Sequence, residues 1–215
     1  ADLAEKAAFR LDLLGAKVDL EGAPLPGWAL FSAGVAWALK EAGFTEYRRN
    51  AVDHDLENGF RCWVGLNCGQ SRNSVQINPF VGVHSVPIEK LWTGLKAGKY
   101  PGKCSRGVAT VARHMGELQP DEAVFRFDQR TDLIAESRRL AMSYCSVGLP
   151  FARSIATYSA LLPMLQQRVE TLGAYPERLA SCLILLGRQE EVLAFVHDFA
   201  ARHHDYFEGF AAPFI

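Results

Sequence analysis

Residues 60–68 read FRCWVGLNC, and this stretch decides the fold class of the chain. Apolar side chains recur at every second position, which is the period of a β-strand with one buried face. The apolar positions are Phe60, Cys62, Val64, Leu66 and Cys68. The residues between them, on the opposite face, are Arg61, Trp63, Gly65 and Asn67. The pattern therefore predicts a strand that packs one face against a core.

Neighbouring segments extend this strand into a sheet. A second period-two run carries Val75, Ile77, Val81 and Val83, and a further strand is predicted over residues 45–51. A polar turn over 53–59, ending in Asn-Gly, joins the predicted strand at 45–51 to the strand at 60–68. With shorter candidates at 108–115 and 123–127, the sequence predicts an antiparallel meander of four to five strands.

Side-chain parity fixes how the second and third strands of this meander can pair. Residues directly opposite each other point to the same face, so Val64 and Leu66 must lie opposite odd-numbered residues such as Val75 and Ile77. We expect Val64, Leu66 and Ile77 to be buried on one face. Pro79 has no N–H to donate, which predicts a sheet edge or a bulge at that position.

Helical patterns precede and follow the predicted strands along the sequence, and one lies between them. Residues 1–43 predict two N-terminal helices, and residues 88–96 predict a helix that follows Pro87. Everything after Asp128 is predicted to be helical, with a break at residues 148–150 and a helical hairpin beginning at Pro176. We therefore predict one α+β domain over 1–215, made of N-terminal helices (1–43), a sheet with one helix (44–127) and an all-helical part (128–215).

Composition excludes several classes of protein. The chain has 215 residues, 49% of them hydrophobic, and a formal net charge of -1, so it lacks the basic excess expected of a nucleic-acid binder. No run approaches the roughly 20 apolar residues of a membrane span. Its five cysteines are odd in number and never form a CxxC pair, which predicts free thiols, no metal and a cytoplasmic location.

No familiar catalytic or cofactor motif is present, so the sequence predicts no cofactor. Two polar clusters are weak metal candidates. One joins His197 and Asp198 to residues 203–205, where a solvated helix end is the simpler interpretation. The other is Asp53-His54-Asp55 with Glu57, which is too short for a calcium loop and typical of a polar hairpin turn.

The face of the sheet opposite the core is the third candidate and the predicted partner-binding site. It combines aromatic, arginine and amide side chains. The predicted residues are Arg49, Arg61, Trp63, Asn67, Gln76, Asn78, Phe80 and His84. Either helices cover this face, or it is a recognition surface with the anchor types found at interfaces.

Several short motifs carry a resemblance to a known group of proteins. They read RCWVGLN at 61–67, INPFVGV at 77–83 and GLPF at 148–151, after Gly43-Phe44. Between Gly43 and about Gln167 the chain resembles small bacterial α+β domains of unknown function, some of which are similar to toxin-immunity proteins. The resemblance implies a fold and a protein partner such as a toxin domain, and transfers no catalytic residue.

Two functional hypotheses follow. The first is a protein-binding module, of the immunity type, that neutralises a toxin by direct binding and has no turnover of its own. The alternative is a small-molecule enzyme whose active site is assembled from residues distant in sequence. A deep pocket with convergent ionisable groups would favour the enzyme, and a shallow acidic or aromatic surface without such a pocket would favour the binder.

Overall fold

The computed structural model of the chain describes residues 44–48, 51–70, 74–98, 102, 104, 107–122, 124–128, 130–169, 175–204 and 212–214. The N-terminal helices predicted over 1–43 lie outside these residues. What the structure describes belongs to the α+β class, as predicted: an antiparallel sheet is followed along the chain by a helical part.

Among the residues that the structure describes, six strands form the sheet. They are β1 (Thr45–Arg48), β2 (Ala51–Asp55), β3 (Phe60–Gln70), β4 (Ser74–Ser85), β5 (Val111–His114) and β6 (Phe125–Asp128). Five of them follow the order β1-β2-β3-β4-β5, in agreement with the predicted meander, and β6 pairs with β4 beside this path. The strands predicted at 108–115 and 123–127 thus exist with shorter or shifted bounds.

The prediction of one strand over 45–51 was wrong, because this region contains β1 and the start of β2. The two strands pair antiparallel, with Thr45 opposite Asp53 and an irregular register between Glu46 and Arg48. The predicted turn at 53–59 is correspondingly shorter. Its positive φ angles begin at Glu57 and end at Gly59, so Asp53 to Asp55 remain extended.

Pro79 lies inside β4, a strand that has neighbours along both of its edges. The ladder with β6 runs from Ser74 to Ile77 and therefore ends two residues before Pro79. On the far side of the proline, the amide of Thr110 donates to the carbonyl of Val83 at 2.8 Å, next to β5. Pro79 thus follows the end of one ladder, where its missing donor costs little.

Seven α-helices are assigned among the described residues. They are α1 (Val86–Lys96), α2 (Met115–Leu118), α3 (Leu133–Ser143), α4 (Leu149–Ser154), α5 (Tyr158–Arg168), α6 (Pro176–Leu185) and α7 (Gln189–Arg202). A π-helical turn at Tyr144–Gly148 and short 3₁₀ turns at Pro120–Glu122 and Ala212–Phe214 complete the list.

The predicted break at residues 148–150 was wrong, because the chain stays helical from α3 into α4. The amide of Leu149 donates to the carbonyl of Tyr144, five residues back, which is the wider spacing of a π turn. Gly148 allows close packing there, since a Cβ on it would lie 3.0 Å from Cγ2 of Val81. Gly148 therefore serves helix-to-strand packing and does not end the helix.

The predicted helical hairpin is confirmed. Pro176 occupies the first turn of α6, and Gly187 adopts a φ of +73° between α6 and α7. Its amide donates to the carbonyl of Ile184, and that of Arg188 donates to Leu183, which closes the end of α6. Leu183 and Val196 are buried, one on each helix.

The chain divides into two compact units. The first unit comprises Ala1–Asp55, Cys62–Gly82 and Ala112–Arg153, and the second comprises Leu56–Arg61, Val83–Val111 and Ser154–Ile215. Fully buried apolar side chains in the first include Cys62, Val64, Ile77, Val81, Phe125, Leu140 and Tyr144. Those in the second include Val83, Ile88, Leu161, Ala180, Cys182 and Val196.

The predicted core face is confirmed at two of its three positions. Val64 is 1% exposed and Ile77 is fully buried, whereas Leu66, nearer the end of β3, is half-buried. In β3 the even-numbered Phe60, Cys62 and Val64 are buried, and in β4 the odd-numbered Ile77, Pro79 and Val81 are buried while Asn78 and Phe80 between them are half-buried. This alternation matches the parity derived from the sequence.

Candidate functional site

The pairing of β4 with β6 assigns side chains of the first unit to the two faces of the sheet. Ile77 lies opposite Phe125, and both are fully buried. Gln76 lies opposite Arg126, so these two side chains share the other face, and Arg126 is exposed. Sequence patterns did not single out Arg126, because its position on this face follows only from the register.

We call this second face of the first unit the outer face. It comprises Trp63, Asn67, Gln76, Asn78, Phe80 and Arg126, of which the first five were predicted. Asn67 and Arg126 are exposed and the other four are half-buried. The outer face is therefore neither fully exposed nor fully buried. This partial exposure is intermediate between the two alternatives drawn from the sequence, a face covered by helices and an exposed recognition surface.

Trp63 is held by the absence of a side chain at Gly65. A Cβ on Gly65 would lie 2.1 Å from Cη2 and 2.5 Å from Cζ3 of Trp63, so the indole lies directly over this glycine. The backbone beneath is also fixed, since the hydroxyl of Tyr144 donates to the carbonyl oxygen of Gly65 at 2.9 Å. Trp63 is thus ordered in advance of any binding event.

The indole N–H of Trp63 is buried and has no hydrogen-bond partner among the described residues. An unpaired buried donor costs about 1–3 kcal/mol, which is unusual for a side chain kept for stability alone. Such a cost is more often tolerated at a functional position than in a purely structural core.

Two further contacts order the outer face. The ring of Phe80 packs edge-on against that of His114, with centroids 5.1 Å apart. The amide of Gln76 donates to the side-chain oxygen of Asn78 at 3.4 Å. These contacts leave apolar ring surface and amide groups side by side.

The other three predicted site residues are not among the described residues of the first unit. Arg49 lies outside the described residues, and Arg61 belongs to the second unit, where it is half-buried. His84 also belongs to the second unit and is only 1% exposed. Its prediction as part of an exposed partner-binding surface is therefore corrected: the side chain is buried, and its ring contacts the carbonyl oxygen of Val108 and the thiol of Cys104.

Gly65→Ala is expected to lower the free energy of unfolding by about 1–3 kcal/mol, because the new methyl group must displace the indole of Trp63. Thermal denaturation followed by circular dichroism measures this loss. Gly69→Ala is the matched control in the same strand, since a Cβ there meets nothing within 4 Å. Equal melting temperatures for the two variants would contradict the stacked geometry.

The second unit contains a buried ion pair between Glu89 of α1 and Arg178 of α6. Nε of Arg178 lies 2.8 Å from one carboxylate oxygen and Nη2 lies 3.3 Å from the other. The hydroxyl of Thr110 donates to the first oxygen at 2.8 Å, and Nε1 of Trp92 donates to the second at 3.0 Å. Four donors therefore satisfy this carboxylate.

The same network reaches the start of α1. The amide of Ser85 donates to the hydroxyl oxygen of Thr110 at 2.9 Å, while the side chain of Ser85 caps the helix by accepting from Ile88. On the other side, the guanidinium of Arg178 lies 4.5 Å from the ring centroid of Tyr175. Every acceptor position of the Glu89 carboxylate is thus used. Such a carboxylate is better suited to hold α1, α6 and the segment before β5 together than to transfer a proton.

His84 and Cys104 form a second polar arrangement in this unit. Nδ1 of His84 lies 2.8 Å from the carbonyl oxygen of Val108, and Nε2 lies 3.0 Å from Sγ of Cys104. Cys104 is half-buried and Val108 is 42% exposed. Sequence reasoning missed this pair because the two residues are 20 positions apart and belong to no known motif.

The four cysteines whose side chains are described are free thiols. Cys62 and Cys182 are buried as predicted, and burial raises the pKa of each thiol to about 12. Burial also raises the pKa of Cys145 above its ordinary value. Thiols with such raised pKa values are poor nucleophiles at neutral pH.

Neither polar cluster considered for metal binding assembles as a site. Among the residues that the structure describes, no three His, Cys, Asp or Glu side chains lie together as metal ligands. His197 is exposed on α7, while His203 packs on Phe199 with centroids 4.4 Å apart, at the end of that helix. Asp53 is buried in β2, and Glu57 belongs to the turn that follows it.

Comparison of the chain with protein-family models, with curated proteins and with solved structures finds no match. The resemblance to immunity proteins therefore stays a prediction. No helix within the described ranges is long and apolar enough to cross a membrane.

Proposed function

We propose that this protein acts by binding another protein through the outer face. The observation that carries the proposal is Trp63, whose half-buried indole is fixed over Gly65 before binding. Tryptophan and arginine are the side chains that most often dominate binding energy at protein interfaces. A ring that is already ordered loses little further entropy on binding.

Charge on the outer face favours an acidic partner. Arg126 is exposed, and no carboxylate among the described residues pairs with its guanidinium. Asp128, at the end of the same strand, accepts instead from the amide of Arg130 and the hydroxyl of Thr131. These hydrogen bonds hold the pKa of Asp128 below its usual value, and the bond from the amide of Arg130 has the largest effect. Because a lowered pKa keeps Asp128 ionised, it is the exposed guanidinium of Arg126, and not a net positive charge of this strand, that favours an acidic partner.

The resemblance noted in the sequence makes the immunity type the specific form of this proposal. In that form, the partner is an acidic toxin domain that the protein neutralises by direct binding, without turnover. The cytoplasm is the compartment we propose, and the free thiols of Cys62, Cys104, Cys145 and Cys182 support it.

Capture from a lysate of the source cells tests this proposal. Arg126→Glu is expected to lower the affinity for the captured protein at least tenfold, because it places a like charge opposite an acidic surface. Trp63→Ala is expected to lower it about thirtyfold, which corresponds to about 2 kcal/mol. Titration calorimetry with the isolated partner measures both losses.

The matched control is Leu193→Glu, which introduces the same charge at an exposed side chain of α7 in the second unit. This variant is expected to bind as the wild type does. Undiminished binding by Arg126→Glu and Trp63→Ala, or failure of the wild type to capture any protein, would contradict the proposal.

A further inference from the structure

We propose that Cys104 and His84 form a nucleophilic thiol site that accepts an acyl group from an activated ester or thioester. The pair lies entirely within the second unit and shares no residue with the outer face. The inference is independent of partner binding and adds a chemical activity to the protein.

The carbonyl oxygen of Val108 determines which nitrogen of His84 carries a proton. A carbonyl can only accept a hydrogen bond, so the 2.8 Å contact requires a proton on Nδ1. In the neutral ring, Nε2 then carries the lone pair, and it faces Sγ of Cys104 at 3.0 Å. The thiol therefore donates its proton toward a base that is already oriented.

Proton transfer from sulfur to Nε2 leaves both of these hydrogen bonds in place. In the resulting imidazolium, Nδ1–H still donates to Val108 and Nε2–H donates to the thiolate. A thiol, a histidine base and a group that orients the base are the three parts of an activated cysteine nucleophile. Here the orienting group is a main-chain carbonyl.

The other described cysteines lack this setting, which separates Cys104 from them. Cys182 donates its thiol proton to the carbonyl oxygen of Tyr158, 3.4 Å away, which cannot accept a proton as a base does. Cys62 is buried, whereas Cys104 is half-buried beside the exposed Val108. A small electrophile can thus approach Cys104 from solvent.

The proposed step transfers an acyl group and involves no change in oxidation state. The thiolate of Cys104 attacks the carbonyl carbon, and a carbon–sulfur bond forms. The bond from that carbon to the leaving oxygen or sulfur breaks, and Nε2–H of His84 protonates the leaving group. The products are a thioester on Cys104, the free alcohol or thiol, and a neutral His84.

The test uses p-nitrophenyl acetate as the probe and the full chain as the enzyme. We expect one equivalent of p-nitrophenolate to be released rapidly per chain, with the acetyl group found by peptide mapping on Cys104. Cys104→Ser is expected to abolish this rapid release, and Cys145→Ser is expected to retain it. Release that is no faster than from free cysteine would overturn the proposal.

The pH profile distinguishes activation by His84 from ordinary thiol reactivity. In the wild type, the rate of p-nitrophenolate release is expected to be high at pH 7. His84→Gln is expected to lower this rate about a hundredfold at pH 7. In the variant, the rate should instead rise with pH around the ordinary thiol pKa of about 8.5. A circular dichroism melt shows whether this variant is folded.

A second measurement needs no variant. Native wild-type protein is treated briefly with iodoacetamide at pH 7, and the labelled cysteines are counted by peptide mapping. Cys104 is expected to be labelled at least tenfold faster than Cys145, which is also half-buried. Equal labelling of the two residues, or a wild-type profile like that of a free thiol, would overturn the proposal.

Discussion

Val64→Asp is expected to remove most of the protein's stability at neutral pH. Val64 is 1% exposed in β3 and lies on the core face of the first unit, beside Cys62 on the same strand face. An ionised carboxylate without a partner in such a place costs an amount comparable with the whole ~5–15 kcal/mol that holds a domain folded. The expected result is loss of the cooperative melt in circular dichroism.

Asn67→Asp is the matched control, because it introduces a carboxylate into the same strand at an exposed position. This variant should melt within about 2 °C of the wild type, in line with the small effect of most surface substitutions. If Val64→Asp also melted within this interval, the assignment of buried and outer faces would be inverted.

Breaking the buried pair of Glu89 and Arg178 is expected to cost about 3–5 kcal/mol from either side. Arg178→Met leaves the carboxylate with only Thr110 and Trp92 as donors in the interior of the second unit. Glu89→Leu leaves an uncompensated guanidinium that is itself buried. Urea denaturation of both variants measures the loss.

The double variant Glu89→Leu/Arg178→Met shows whether the cost comes from an isolated charge. Its loss in free energy of unfolding is expected to be smaller than the sum of the losses of the two single variants, since neither charge remains buried. The exposed pair of Arg188 and Glu191 at the start of α7 provides the comparison, and breaking it should cost less than about 1 kcal/mol. Strictly additive losses in the buried pair would contradict the interpretation.

The strand pattern could be predicted because burial alternates along single strands, a property that local sequence records directly. Phe60, Cys62 and Val64 illustrate this, and so does Gly187, whose left-handed φ ends a helix as expected. Polar residues were assigned wrongly to turns where contacts with the rest of the fold place them in a strand. Asp53 has the composition of a turn residue, yet it is buried in β2.

The buried polar pairs of the second unit could not be predicted, because they join residues far apart in the chain. Glu89 and Arg178 are 89 positions apart, and no periodicity relates them. His84 was predicted on the strand face opposite Val83, but its ring is buried and contacts Val108 and Cys104 from later in the chain. A face can be read from alternation, whereas what packs against it depends on the rest of the fold.

The π turn at Tyr144–Gly148 sets the rotational phase between the two helices that it joins. One extra residue is accommodated there, so α4 is turned by about 100° relative to a continuous α-helix. In this phase, Ala152 of α4 and Leu140 of α3 are both buried. Insertions or deletions of single residues in this turn would therefore be selected against, although substitutions on its exposed side, as at Ser146, would be tolerated.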